Sequence, residues 1–204
     1  DAAALARGLA PGAPVLEPRP GGGEGLEELG LAQAEHELDA AGLERRRLGE
    51  WERLTVGPFA VTALPAVDGT GDPQLSWLVE AAGVRVVHLG DTLFHGHWWR
   101  IALRAGPIDL ALVPINGARL DFPHRRPPSS LPGVMNPEQA AEAVRILGAR
   151  LAVPIHYDGY AGTPFYQPVE PALDRFLAAA AEPGAGWQPR VLAAGESLEL
   201  AASG

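Results

Sequence analysis

Three apolar runs in this chain each end in polar residues that could do chemistry. Residues 84–89 (VRVVHL) lead into Gly90-Asp91-Thr92, residues 108–113 (IDLALV) into Pro114-Ile115-Asn116-Gly117, and residues 151–155 (LAVPI) into His156-Tyr157-Asp158. Loops behind rigid strands are where α/β enzymes assemble their sites. A carboxylate and an imidazole delivered in this way, Asp91 and His156, are donors suited to a hard or borderline metal ion. There is no cysteine, which removes thiolate ligands, disulfides and a cysteine nucleophile together. Each residue also has a plainer reading. Asp91 could cap the turn that follows it, and His156 could be a core histidine bonded to a backbone carbonyl.

Other polar side chains stand near these three loops in sequence. His95 and His97 lie two residues apart, so on a helix their side chains diverge by about 200° and cannot chelate one ion together. With Trp98 and Trp99 behind them, they read better as a wall of the site, with His95 touching substrate. His124, followed by Arg125 and Arg126, could reach an anionic substrate, against the simpler reading of a solvated loop. Asn116, Tyr157 and Tyr160 could orient a substrate oxygen. His88 falls inside a strand and His36 in a polar helix, and both read as structural.

The elements that must position these residues follow from hydrophobic periodicity and from turn chemistry. Helices are expected at 2–9 with Asp1 as cap, at 26–38, 98–104, 137–147 and 169–179, and strands at 15–16, 54–64 (broken by Gly57-Pro58), 75–80, 84–89, 108–113, 151–155 and 190–193. The helix at 137–147 has the fullest signature. Asn136 caps it, Pro137 takes its first position, Gln139 reaches back to the cap, and Gly148 ends it. Gly21 to Gly23 form a joint, and the long, Pro-rich stretch 116–135 has the character of a functional loop.

In order and spacing, Gly90-Asp91-Thr92 and Pro154-Ile155-His156-Tyr157, with the capped helix between them, resemble the metallo-β-lactamase superfamily. Within it they resemble the branch of ascorbate-6-phosphate lactonase-like and N-acylphosphatidylethanolamine phospholipase D-like hydrolases. The resemblance runs over nearly the whole chain, roughly residues 1–200. It implies an α/β fold, a four-layer α/β/β/α sandwich with metals at one edge of its two sheets. It also implies roles. Asp91 would bridge two divalent metal ions, zinc or manganese before iron, and His156 would hold the second. A further ligand, normally histidine, follows a Pro-Ala dipeptide; after Pro65-Ala66 that position holds Asp68, which either makes the site more anionic or weakens it. Asp68 also sits in a stretch, 68–72, that reads as a plain turn. The family's His-x-His-x-Asp-His motif has no match, so the expectation is a single domain lacking its first strands. The missing motif would lie just upstream of Asp1, and the chain by itself would be inactive.

The implied function is hydrolysis of a small molecule, a phosphodiester, phospholipid-like ester or lactone. Two ions about 3.5–4 Å apart would activate a bridging hydroxide and polarise the scissile group. The competing reading is a non-catalytic binding protein on the same fold. A redox member carrying iron is a further alternative, which visible absorbance and O₂ dependence would reveal. The 204 residues are 47% hydrophobic with a net charge of −9, so they can bury a core and disfavour nucleic acid. All 16 basic residues are arginine, with only two short clusters, at 45–47 and 125–126. No apolar run is long enough to span a membrane and no signal-peptide pattern opens the chain, so a cytoplasmic location is expected. A homo-oligomer is compatible with all of this.

Overall fold

The computed structural model of the chain describes residues 2–20, 25–68, 71, 73–123, 126–159 and 164–201. Five helices and eleven strands occur among them. The chain opens with α1 (Ala2–Gly8), β1 (Val15–Pro18), α2 (Gly25–Ala40) and β2 (Arg45–Leu48). A meander of β3 (Arg53–Val56), β4 (Phe59–Pro65), β5 (Leu75–Ala81) and β6 (Val84–His88) follows. Helix and strand then alternate: α3 (Trp98–Ala105), β7 (Ile108–Pro114), a short β8 (Arg119–Leu120), α4 (Pro137–Leu147), β9 (Ala149–Ile155), a short β10 (Tyr166–Gln167), α5 (Ala172–Ala180) and β11 (Gln188–Pro189).

Seven strands form one sheet in the order β11-β9-β7-β6-β5-β4-β3. Strands β3 to β6 pair antiparallel, and β6, β7, β9 and β11 pair parallel. The parallel half needs a crossover between each pair of strands, and α3, α4 and α5 supply them. These helices cover one face, where Leu64, Val87, Ala111, Val113 and Ala152 pack with Trp98, Ile101, Val144 and Phe176. The opposite face is also apolar. Ala63 and Leu75 pack there against Leu16 and Leu48 of the β1–β2 ladder, and Leu110, Leu151 and Val153 pack against Leu192, Leu198 and Leu200 of the C-terminal tail. Burial on both faces is why 108–113 reads as a nearly continuous apolar run. Of the second sheet expected, the described residues contain the two-stranded parallel β1–β2 ladder.

Helix α4 forms as its sequence signature requires. Asn136 Oδ1 accepts from the Gln139 N–H at 2.8 Å, Gln139 Oε1 accepts from the Asn136 N–H at 3.0 Å, and Gly148 closes the helix with φ of 63°. Four expectations change. Strand β2 was unanticipated because Arg45-Arg46-Arg47 reads as a polar cluster; in the fold Leu48 is buried while Arg45 pairs with Glu17 and Asp39, both at 3.0 Å. Helix α5 begins at Ala172 rather than at 169, because the Val169 N–H is committed to the Asn116 carbonyl at 2.7 Å. The last strand lies at Gln188–Pro189, alongside Leu151 and Ala152, rather than at 190–193. The two short strands β8 and β10, which pair antiparallel, were unanticipated as well. The expected cap at Asp1 and the joint at Gly21 to Gly23 lie outside the described residues. Among the described residues no helix is long and apolar enough to cross a membrane.

Candidate metal centre

Asp91, Asn116 and His156 follow the carboxyl ends of β6, β7 and β9, three neighbouring parallel strands with β7 in the middle. Adjacent strands lie about 4.8 Å apart, so the topology delivers all three residues to one edge of the sheet. That juxtaposition is a property of the strand order, which no local sequence pattern encodes.

The Asp91 loop is fixed from several sides. Buried Ser76 donates its hydroxyl to the Leu89 carbonyl at 3.0 Å, pinning the end of β6. Gly90 turns the chain with φ of +70°, a conformation L side chains rarely adopt, and presents Asp91. Gln74 donates Nε2 to Asp91 Oδ1 at 2.6 Å. Buried Thr92 then ties two loops together. Its hydroxyl accepts from the Val67 N–H and lies 2.9 Å from the Val67 carbonyl, which also accepts from the Leu93 N–H at 2.7 Å. The loop after β4, which carries Asp68, is therefore clasped to the loop that carries Asp91. The Asp68 carboxylate lies close to Gly71, since a Cβ built on Gly71 would sit 2.7 Å from Asp68 Oδ2.

His156 occupies the left-handed region with φ of 58°, unusual for a residue with a Cβ. Buried Asn116 holds its ring, with the Asn116 Nδ2 position 3.0 Å from His156 Nδ1 and 2.6 Å from the Tyr166 hydroxyl. While that nitrogen donates, the neutral imidazole carries its proton on Nε2. Asn116 Oδ1 accepts from the Ala118 N–H at 3.2 Å, which holds the amide in this orientation. For Nε2 to offer a lone pair to an ion, the amide would have to turn over, giving up that bond, so that its oxygen accepts from Nδ1–H. Tyr157, expected beside the substrate, packs its half-buried ring against the helical core instead. Its hydroxyl pKa is raised, first by burial and then by the charge of Asp158.

His95, expected to touch substrate, is buried and stacked on Trp98, with ring centroids 4.0 Å apart and planes 11° from parallel. Its Nδ1 accepts the His97 N–H at 3.1 Å, and its Nε2 is buried without a hydrogen-bond partner. Burial, and then the neighbouring His97, bring its pKa down to about 4. A histidine with a depressed folded pKa takes up fewer protons folded than unfolded, so stability rises with pH across the gap. The His95 contribution is complete above about pH 6.5 and is lost as pH falls toward about 4. His95→Phe, which keeps the stacked ring, is expected to remove about 1–2 kcal/mol of the stability lost between pH 7.5 and pH 5. Urea midpoints of both proteins at the two pH values measure this; parallel pH dependences would show that His95 does not titrate as described.

His124 and Tyr160 lie outside the described residues. Sequence reading missed Gln74 and Tyr166, the two side chains that hold Asp91 and Asn116. Neither stands in a recognisable motif, and only the pairing of β5 with β6 and of β8 with β10 brings them in. The donors suit a divalent ion in kind, a carboxylate with one oxygen held by an amide and an imidazole oriented through its other nitrogen. In number the set is partial: among the described residues, no three His, Asp or Glu side chains gather so as to hold an ion.

Comparison with known proteins bears on this geometry. Residues 1–157 match the family described as the beta-lactamase superfamily domain. The UPF0173 metal-dependent hydrolase of Rubrobacter xylanophilus is 33% identical over 156 residues, 74% of this chain and 56% of that protein. The UPF0173 metal-dependent hydrolase of Thermococcus onnurineus is 32% identical over 134 residues, 66% of this chain and 48% of that protein. The chain thus spans about half the length of these curated relatives. Igni18, a metallo hydrolase from the archaeon Ignicoccus hospitalis, shares the fold with a TM-score of 0.59 at 19% identity, covering 81% of this chain and 65% of its own. In sequence and in its metallo-β-lactamase-type fold, this chain belongs to the beta-lactamase superfamily.

Proposed function

We propose that this chain carries part of the active site of a metal-dependent hydrolase that acts on a small molecule, a phosphodiester, phospholipid-like ester or lactone. The delivery of Asp91, Asn116 and His156 to one sheet edge by three adjacent parallel strands carries this reading. The hydrolase names of the relatives support the reaction class. Asp91 and His156 are the proposed ligands, with Asp68 as a third. When bound, two divalent ions, zinc or manganese, would polarise the scissile carbonyl or phosphoryl group and activate water. The chain's own residues prepare the site. Gln74 fixes one oxygen of Asp91, Asn116 sets the plane of His156, and Thr92 locks the two carboxylate-bearing loops.

The position of Asp68 close to Gly71 favours a second reading, a binding protein of the same fold with a weakened metal site. Metal analysis of the full-length protein separates the two. The hydrolase is expected to hold about two ions per chain, and Asp68→Ala about one, with turnover of a phosphodiester and lactone panel dependent on zinc or manganese. Full metal content and turnover in Asp68→Ala would make the residue a turn former only. No bound ion in the unaltered protein would leave the binding reading.

A further inference from the structure

The stretch between Asn116 and Met135 does more than connect β7 to α4. Its ends are sewn together, the Gly117 N–H donating to the Met135 carbonyl at 2.9 Å and the Gly133 N–H to the Ala118 carbonyl at 2.7 Å. The Met135 N–H reaches the Thr92 carbonyl at 3.2 Å, and β8 pairs with β10, whose Tyr166 hydroxyl meets Asn116. The loop is therefore anchored to the Asp91 loop on one side and to Asn116 on the other. Between it and the residues just past Asp91 lies a cavity of about 490 Å³. Leu93, Phe94, Leu120, Leu131 and Pro132 are among its lining, with Ser129 and Gln139 as the polar side chains. Gln139 is already engaged in the α4 cap. Gly133 leaves the room that Leu120 occupies, since a Cβ there would collide with Leu120 Cδ1.

We propose that this cavity is the substrate's recognition pocket, and that it takes an uncharged apolar group, a medium-length acyl or alkyl chain or an aryl ring, joined to the bond that is cut. The inference rests on the hydrolase reading above, which names the reacting bond but not the rest of the substrate. The volume is that of a small-molecule pocket, and no charged side chain is among its described lining. Leu131 is 72% exposed, an apolar side chain left at the surface where an apolar group would enter. The wall begins two residues beyond Asp91, so a group seated here is joined by a short link to whatever is held at the sheet edge.

The test uses the full-length protein, two variants of exposed lining residues, Ser129→Trp to fill the cavity and Leu131→Asp to charge its mouth, and two readouts. The first is saturable binding of N-phenylnaphthylamine, an uncharged fluorescent dye, which needs no activity. The second is the ratio of kcat/KM for octyl over methyl p-nitrophenyl phosphate, and for an octyl-substituted over an unsubstituted γ-lactone. The unaltered protein is expected to bind the dye and to prefer the octyl member of whichever pair it hydrolyses by about tenfold or more. Both variants are expected to weaken dye binding about tenfold and to bring the ratio near one. Dye binding that is absent, or equal in all three proteins, overturns the pocket. So does hydrolysis without an octyl preference. Dye binding that is lost in the variants, with neither pair hydrolysed and metal bound, keeps the pocket as a binding site and overturns the hydrolase reading.

Discussion

Replacing Asp91 with alanine is expected to remove bound metal and to lower kcat/KM on the order of a thousandfold or more, on the proposed two-ion chemistry. The size follows from position. Losing a side chain that merely orients a metal ligand costs about 10–100-fold, and losing a carboxylate that would itself hold an ion must cost more than losing its support. The support is Gln74, whose amide holds Asp91 Oδ1 at 2.6 Å, so Gln74→Leu is expected at about 10–100-fold. Asp91 is half-buried at the end of a loop whose backbone is held by Ser76 and Thr92, not by its own carboxylate. Asp91→Ala should therefore fold normally. Metal content, turnover and thermal melting distinguish the cases. Retained metal and turnover in Asp91→Ala would remove Asp91 from the site, whereas a large fall in melting temperature would mark it as a structural residue.

Trp98→Ala is expected to be the most damaging single change to stability, at about 3–5 kcal/mol. The ring is fully buried at the start of α3, packed in the helical core, stacked on His95 and 6.0 Å from the Phe94 ring. One term opposes the loss. Trp98 Nε1 is buried without a partner, and removing an unsatisfied donor recovers about 1–3 kcal/mol of desolvation. Removing the ring outweighs it, because the cavity left among Ile101, Val144 and their neighbours cannot close while α3 and α4 remain docked. Trp98→Phe separates the two terms. It keeps an aromatic ring and deletes the orphan donor, so it is expected to cost less than half of what the alanine does. For a chain of this length, the alanine variant should melt about 10 °C lower. Denaturant midpoints of the three proteins test this, and an alanine variant within about 1 kcal/mol of the unaltered protein would contradict the packing argument. Phe94 and His95 lie between Asp91 and Trp98 in sequence, so the same substitution is expected to loosen the Asp91 loop.

Local signals were enough for much of this chain. The capped helix at Pro137–Leu147 could be read residue by residue because each part of its signature acts within one or two helical turns. The parallel strands stood out because burial on both faces favours a nearly continuous apolar run, and the polar residues behind them marked where a site had to lie. Pairing and exposure were not legible in that way. Arg45 to Arg47 hid a strand because their charges are met by Glu17, Glu35 and Asp39 for Arg45 and Arg47, and by Glu44 for Arg46, pairings that the cluster by itself does not announce. His95 and Tyr157 carried the right chemistry at the right spacing, yet His95 is buried against Trp98 and Tyr157 packs partly on the core. Gln74 and Tyr166 join the site through strand pairings that bring together residues 17 and 50 positions apart. The sequence by itself determined which elements form and which residue types stand at their ends, since those depend on short-range sterics and hydrophobic period. The tertiary structure alone decided which of those residues meet, which turn inward, and where a loop encloses a pocket, since those depend on strand order and on how buried volume is filled.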